Sequence, residues 1–356
     1  MQNETDSVLL AALSQTYFLT LREKIILLNN LDSADAIALL SIKDIGKIIG
    51  RMPRKAVWNG KALLHNAQAA DAIIKKRGIS YTVYGSDDYP LLLKEIPDAP
   101  FVLFYRGNLK VLSGACVSVV GTRHLTSEGI SAARDFAYEA AVHGETVVSG
   151  LAYGADAQAH KGALDAYYDA VQNDASRVPF CGKTAAVLPC GIDTVVPEAH
   201  KKLAAQILET GGCLVSEYGP GIAAESWRFV QRNRIIAGLS PAVIVIQSPP
   251  GSGALLTADF ALDYNRELLF HECAFCASAH KTAEMVQRNL EIKVSHGKKN
   301  RTKLLRTSSR YIDEGAPIVK NYEDYRMFLA EVPGTRARVR TDIQNKRNCQ
   351  LPLFTE

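Results

Sequence analysis

The sequence predicts an α/β fold: a mostly parallel sheet, doubly wound with helices on both faces, that follows a small helical domain. Strand-like apolar runs alternate with helix-like segments from about residue 116 to residue 270, which favours βαβ units. Several runs are uninterrupted and β-branched, as in "AVIVIQ" (242–247). Such runs are typical of parallel strands that are covered on both faces.

Residues 1–77 have helical spacing only, as in "LLAALSQTYFLTLREKIILLNNL", with breaks at Pro53 and Gly60. We interpret them as a small helical domain. Within it, "IGKIIG" (45–50) hints at a helix-hairpin-helix that grips a DNA backbone, although an ordinary turn is the alternative interpretation.

Strands begin after this domain. "ISYTVYG", "PFVLFYRG" and "CVSVVG" each end in glycine. After Gly121 a helix and a strand alternate five times: "EGISAARDFAYEAAVHG" then "TVVSG", "AQAHKGALDAYY" then "TAAVLP", "HKKLAAQILETG" then "CLVS", the arginine segment then "AVIVIQ", and "ALLTADFALDY" then "ELLF". This alternation predicts right-handed crossovers, but it does not give the order of the strands.

Composition excludes several classes of protein. The 356 residues are 47% hydrophobic, yet no apolar stretch reaches the roughly 18 residues of a spanning helix, and the start "MQNETD" is polar and acidic. We therefore expect a cytoplasmic protein with no membrane role. Seven cysteines, an odd number, suggest reduced thiols.

A net charge of +4 is too small for a general polyanion binder, so nucleic-acid affinity would need a local patch. Residues 281–310 carry nine Lys or Arg against two carboxylates, and residues 336–347 carry five cations against Asp342. Both segments are polar and poorly periodic, so flexible solvated loops and binding surfaces are both open interpretations.

Four loops that follow strands are rich in glycine or cations: "GTRHLTSEG" (121–129), "SGLAYGADAQAHKGAL" (149–164), "RFVQRNRIIAGLS" (228–240) and "PPGSGALLTA" (249–258). In an open α/β sheet, loops of this kind meet outside the carboxyl ends of the strands, where ligands bind. Glycine turns and helix starts offer backbone N–H groups to phosphates, and arginine adds a bidentate fork. Together the loops predict a site for several phosphates, as in a nucleic acid.

The third loop contains Arg228, Arg232 and Arg234, for which a solvated helix face is the alternative interpretation. In a helix, side chains two positions apart in the sequence point in directions that differ by about 200°. Arg232 and Arg234 therefore cannot both face one ligand. One of the two is therefore expected to be structural. Asn233 either binds the ligand or holds loops together.

The blocks "VVGTRHLTSEG", "VVSGLAYGADAQAHKGAL", "GGCLVSEYGPG", "FVQRNRIIAGLSPAVIVIQ" and "SGALLTADFAL" resemble, in this order, the DNA-processing protein A family, also called DprA or Smf. The resemblance covers about residues 80–270. It implies an extended Rossmann-like domain at 78–330 that follows a SAM-like helical domain at 1–77. As a departure from the family, residues 331–356 are expected to be a basic tail with no winged-helix domain. Val230 departs from the family, which commonly has proline there.

The same resemblance implies a function. The chain is expected to bind single-stranded DNA without sequence preference, to load RecA onto it during natural transformation and recombination, and to form a homodimer, without being an enzyme or holding a cofactor. The expected DNA-binding residues are Gly121, Arg123, Ser149, Gly150, Lys161, Arg232, Asn233, Arg234, Ser252 and Gly253.

Three alternatives remain. "PPGSGALLTADF" is similar in position to the P-G-G-x-G-T loop of the LOG-type nucleotide-processing enzymes, for which Asp259 would be the available carboxylate. "HECAFCASAH" places His271, Cys273, Cys276 and His280 at ligand-like spacing for zinc, but a continuing strand with two buried thiols is the preferred interpretation. A structural adaptor carried by the N-terminal helices is the third.

Overall fold

The computed structural model describes residues 6–53, 58–297 and 300–331. The expected tail at 331–356 lies outside these residues apart from Glu331, as do Lys298 and Lys299 of the basic segment.

Five helices come first: α1 (Ser7–Ser14), α2 (Leu21–Asn30), α3 (Ala34–Leu39), α4 (Ile42–Ile49) and α5 (Gly60–Arg77). Thr20 and Ser41 begin α2 and α4 with capping boxes, which satisfy backbone N–H groups at each helix start. The segment 45–50 is the second half of α4, and Gly50 ends that helix in the left-handed conformation. It is therefore neither the hairpin turn nor the simple turn that the two glycines suggested.

A nine-stranded sheet follows. Its strands are β1 (Ser80–Val83), β2 (Val102–Gly107), β3 (Cys116–Val120), β4 (Thr146–Ser149), β5 (Thr184–Val187), β6 (Cys213–Ser216), β7 (Ala242–Val245), β8 (Glu267–His271) and β9 (Ile318–Val319). The spatial order is β1-β2-β6-β5-β4-β3-β7-β8-β9. In this spatial order, all neighbouring strands from β6 through β5, β4, β3, β7 and β8 to β9 pair in parallel. β1 pairs with β2, and β2 with β6, in antiparallel fashion.

The remaining helices are α6 (Leu91–Glu95), α7 (Ser127–Val142), α8 (Ala155–Asn173), α9 (Lys201–Glu209), α10 (Ser226–Gly238), α11 (Ala254–Asp263), α12 (Ala277–Ser295), α13 (Thr302–Leu305), α14 (Ser308–Asp313) and α15 (Tyr322–Glu331). Every residue of strands β3 to β7 is buried, as expected for strands with helices on both faces. The predicted fold class is confirmed.

The N-terminal helices share a core with the sheet. Side chains of α1, among them Leu10 and Leu13, belong to the same buried cluster as Phe104 of β2 and Leu214 of β6. The change from helices to strands at residues 77–80 is therefore a change of secondary structure within one continuous apolar packing. Among the described helices, none is both long and apolar enough to cross a lipid bilayer.

Two local predictions near the C-terminal side are wrong. The strand at "HECAF" ends at His271, and residues 272–275 form a 3₁₀ helix. The basic segment, expected to be poorly periodic, begins inside the 19-residue helix α12 and contains most of it. In α12 the half-buried residues Val286 and Leu290 are four apart, which is helical spacing within a mostly polar sequence.

Candidate nucleic-acid interface

A cleft of about 480 Å³ lies at the edge of the sheet where the strand order reverses between β3 and β7. Connections from these two neighbouring strands lead to opposite sides of the sheet, which leaves a crevice outside their carboxyl ends. The loop after β3 and the loop after β7 form two of its walls, and α10 and α12 contribute the others. The cleft therefore lies where the four glycine-rich or basic loops were expected to meet.

Helix α10 does not present its arginines as a solvated face. Arg228, Arg232 and Arg234 are all buried, with between 3% and 7% of each residue exposed. A buried guanidinium must be paired or hydrogen-bonded, because burial of an unpaired charge is costly. The interpretation as a surface charge run is therefore wrong, and each arginine has its own set of partners.

Arg232 forms part of the cleft floor. Its Nη1 donates to the carbonyl of Val187 (2.6 Å). The buried Asp156 carboxyl group also lines the cleft, and its charge acts on the pKa of Arg232. Burial raises the pKa of Asp156, and the Arg232 guanidinium opposes that shift. Burial also lowers the pKa of Arg232, which Asp156 in turn opposes. The attraction between the two groups thus offsets part of the cost of burying each of them beneath the cleft.

Gly150 makes room for this arginine. A Cβ atom at position 150 would lie 1.8 Å from Arg232 Nη1. We expected Gly150 and Ser149 to bring backbone close to a phosphate, but both residues are buried. Ser149 donates its hydroxyl to the carbonyl of Val119 (2.7 Å) and so joins β4 to β3. Their observed contacts are therefore with the protein itself.

Arg234 lies away from the cleft. It forms ion pairs with the carboxylates of Glu217 and Asp98, the second at 3.5 Å from Nε. Arg234 is not among the described residues that line the cleft, whereas Arg232 is. The two arginines thus occupy different sides of α10, as the 200° separation requires. Arg234 connects α10 to the loop after β6 and to the segment before β2.

Arg123 is the exposed cation of the cleft. It follows β3 by three residues, and its guanidinium carbon lies 5.4 Å from the ring centroid of Phe229 on α10. Among the described residues it makes none of the observed ion pairs, in contrast to Arg228 and Arg234 of α10. An arginine held against a ring and open to solvent can offer its N–H fork to an incoming anion.

The start of α11 faces the same cleft. Its N-cap is Gly253, which has no side chain to cap the helix, and although the Ala254 N–H donates to the Ser252 hydroxyl (3.3 Å), the first turn carries no acidic residue. The positive end of its dipole is therefore open to a negatively charged ligand. By contrast, α7 is capped by Thr126 and carries Glu128 in its first turn, so that helix start is already satisfied. Asn233 donates to the carbonyl of Gly253 (3.2 Å), which supports the interpretation that it holds loops together.

The structure brings six of the ten expected residues to the cleft and leaves four elsewhere. Those at the cleft are Gly121, Arg123, Arg232, Asn233, Ser252 and Gly253, and those outside its lining are Ser149, Gly150, Lys161 and Arg234. Lys161 is exposed on α8. These positions describe geometry, and the DNA-binding role of each residue stays a prediction.

Some cleft residues were missed in the sequence. Phe229, Val286 and Leu290 supply apolar surface, and the last two come from α12 in the basic segment. Gln247, next to the cleft, accepts the Thr126 N–H (3.0 Å) and donates to the carbonyl of Cys273 (3.0 Å). It fixes the loop after β3 against the end of β8. The four-residue spacing of Val286 and Leu290 is the signal that could have indicated the α12 residues, whereas nothing local indicates Gln247.

Carboxylates are scarce at the cleft. Asp156 is the one carboxylate among the described residues that line it, and it accepts the Ala152 N–H (3.2 Å). Asp259, the candidate of the enzymatic alternative, does not line the cleft. It accepts the hydroxyl of Tyr311 (2.6 Å) and pairs with Arg306 (2.8 Å). Its observed role is to attach α14 to α11.

The four candidate zinc ligands have separate partners. His271 Nδ1 accepts the N–H of Cys273 (3.2 Å), and Cys273 Sγ contacts the carbonyl of Ile246 (3.3 Å). Cys276 contacts Ser278, and His280 lies 3.2 Å from Glu284. Within the described part of the chain, no group of three or more His, Cys, Asp or Glu is placed to hold a metal ion.

Comparisons with known proteins agree on one family. The family model described as DNA recombination-mediator protein A matches residues 80–329. Protein Smf of Borreliella burgdorferi is 32% identical over 259 residues, which is 73% of this chain and 77% of that protein. The DNA processing protein DprA of Streptococcus pneumoniae is 39% identical over 182 residues, which is 51% of this chain and 59% of that protein.

The solved structure of DNA processing protein A (DprA) from Streptococcus pneumoniae is similar with a TM-score of 0.60 and 29% identity. The structural match covers 90% of this chain and 95% of the Streptococcus pneumoniae chain. Apart from the Borreliella protein, the chain spans about half the length of several relatives that it matches.

Proposed function

The chain belongs to the DNA recombination-mediator protein A family, and we propose that it binds single-stranded DNA in the cleft between β3 and β7. Proteins that bear the name DprA among its relatives are DNA-processing proteins. Such a role requires a surface that accepts a nucleic-acid strand, and the cleft offers the chemistry for one.

One observation carries the proposal: an exposed arginine that makes no ion pair within the described residues and a helix start without an acidic residue meet at one crevice that also has apolar walls. Arg123 can donate its N–H groups to phosphate oxygens, and the start of α11 adds the positive end of a helix dipole. Phe229, Val286 and Leu290 supply the apolar surface against which unpaired bases would pack. Neither the arginine nor the helix start reads a base edge, so binding would be independent of sequence.

Two further parts of the proposal rest on the family. We propose that the bound strand is passed to RecA and that the protein acts as a homodimer. A test of the first is whether the protein shortens the lag of RecA assembly on single-stranded DNA. Sedimentation at micromolar concentration tests the second, and a monomer with intact DNA binding would contradict it.

The direct test of binding is a fluorescence anisotropy titration with labelled oligothymidine, mixed-sequence single strands and duplexes of equal length. We expect similar affinity for both single strands and weaker binding of the duplex, because a paired strand cannot place its bases against the apolar walls. Equal or tighter binding of the duplex would contradict the proposal. Lys110→Ala serves as a control, because Lys110 precedes β3 and therefore lies toward the amino end of that strand, whereas the cleft lies at its carboxyl end.

A further inference from the structure

Aromatic side chains from the helical segment and from α10 meet beside the cleft. Tyr17, from the loop after α1, lies edge-on to Trp227 of α10, with ring centroids 5.9 Å apart. Tyr218 contacts both, at 6.4 Å from Tyr17 and 6.3 Å from Trp227. Tyr218 is buried, but Tyr17 and Trp227 are 50% and 45% exposed. Two large rings are thus held in place and remain accessible to solvent.

Arg228 fixes this cluster from beneath. Its guanidinium carbon lies 4.7 Å from the Trp227 ring, 5.2 Å from Tyr218 and 5.8 Å from Tyr17. Cation–π contacts of this kind stabilise rings in a defined position. The side chain of Arg228 is only 9% exposed. It therefore supports the rings from the protein side and leaves their outer surfaces open.

The charge at the cluster selects the kind of ligand. Glu225 pairs with Arg228 (3.0 Å) and accepts the indole N–H of Trp227 (2.7 Å). Arg228 also donates to the carbonyl of Ala223. The buried cation is thus neutralised, and a carboxylate stands beside the rings. A phosphate would be repelled here, whereas the uncharged face of a nucleobase would meet ring surfaces.

The cluster adjoins the cleft along α10. Val230, which lines the cleft, is three residues after Trp227, so the two side chains are surface neighbours one helical turn apart. Ser226, the residue before Trp227, also lines the cleft. A strand whose backbone leaves the cleft past Val230 would bring its next base to Trp227.

We propose that Tyr17 and Trp227 form a stacking site for one unpaired nucleobase of the strand that lies in the cleft. The inference rests on the proposed function and adds a second binding element, which takes a base where the cleft takes phosphates. Because Tyr17 belongs to the helical segment, the site also gives that segment a part in DNA binding.

Tryptophan fluorescence tests the site without altering it. The chain has two tryptophans, and Trp58→Phe leaves Trp227 as the remaining indole while it keeps an aromatic ring against Phe18. The probes are oligothymidine of about 16 nucleotides and an abasic oligomer of equal length that keeps its phosphates. We expect oligothymidine to quench Trp227 emission and the abasic oligomer, at saturation, to leave it nearly unchanged.

Affinity gives the second readout. Trp227→Ala is expected to weaken oligothymidine binding about 5- to 150-fold, as found for loss of one stacked base, and Trp227→Phe to restore most of it. The dependence of affinity on salt should stay the same, since no phosphate contact is lost. Phe180→Ala is the matched control, because Phe180 is 65% exposed and precedes β5, toward the opposite edge of the sheet.

The outcomes separate the two proposals. Oligothymidine that binds without quenching Trp227, or equal quenching by the abasic oligomer, would overturn the stacking site and leave the proposed function standing. A changed salt dependence in a folded Trp227→Ala variant would also overturn it, since the variant would then act through the phosphate site. Absence of single-strand binding by the unaltered protein would overturn both.

Discussion

Replacing Gly150 by alanine should destabilise the protein through Arg232. The new Cβ would lie 1.8 Å from Nη1, 2.4 Å from Cζ and 2.5 Å from Nη2, so the guanidinium must move. Arg232 is 3% exposed, and movement costs its hydrogen bond to Val187 and its position near Asp156. A hydrogen bond to a charged group contributes about 1.5–3 kcal/mol, and the displaced guanidinium also loses part of its attraction to Asp156. We expect a loss of about 3 kcal/mol.

Urea unfolding of Gly150→Ala beside Gly114→Ala measures this loss. Gly114 has no heavy atom within 4 Å of its would-be Cβ, and its backbone is in the β region. Alanine there should leave the free energy of unfolding within about 1 kcal/mol of wild type or raise it slightly, because it restricts the unfolded chain. If Gly150→Ala were as stable as Gly114→Ala, the assigned role of Gly150 would be refuted.

Three other predictions concern buried or engaged groups. Burial lowers the pKa of His160 to about 3, so below about pH 6.5 the unfolded chain takes up a proton that the folded protein does not. In urea unfolding, the free energy of unfolding should decrease as the pH is lowered from about 6.5 to 3, and this histidine should account for a decrease of about 2 kcal/mol at pH 5. The contribution should be missing in His160→Gln. Glu217→Gln should cost about 3 kcal/mol because it leaves Arg234 with Asp98 alone, while Glu198→Gln, in an exposed pair, should leave the free energy of unfolding nearly unchanged. Asp259→Asn should leave DNA affinity unchanged, since Asp259 contacts Tyr311 and Arg306 outside the cleft; release of base from nucleoside monophosphates, lost in this variant, would favour the enzymatic alternative.

Local patterns predicted the strands and the helices between them. Runs such as "AVIVIQ" are buried on both faces, and that burial is the physical reason for their composition. The strand order, with β3 beside β7, depends on contacts between distant segments, so no local pattern could indicate it. The site was nevertheless indicated, since loops after parallel strands meet at one edge whatever the order.

The local sequence could not predict which arginines are buried and paired and which one is exposed. Arg232 is buried because Asp156 and the carbonyl of Val187 lie beneath it, and Arg234 because Glu217 and Asp98 pair with it. These partners come from 17 to 136 residues away in the sequence. Arg123 has the same side chain but makes no ion pair with any residue of the described ranges, and it remains at the surface. Burial and pairing, rather than residue type, separate the arginine open to a ligand from those that hold the fold.

The salt dependence of single-strand binding tests the central claim most directly. If Arg123 neutralises one phosphate, Arg123→Ala should reduce the slope of log affinity against log salt by about 0.7 and weaken binding to all single strands alike. Lys110→Ala, toward the amino end of β3, should leave the slope unchanged. A slope unaltered by Arg123→Ala but reduced by Lys110→Ala would show that DNA binds elsewhere than in the cleft between β3 and β7.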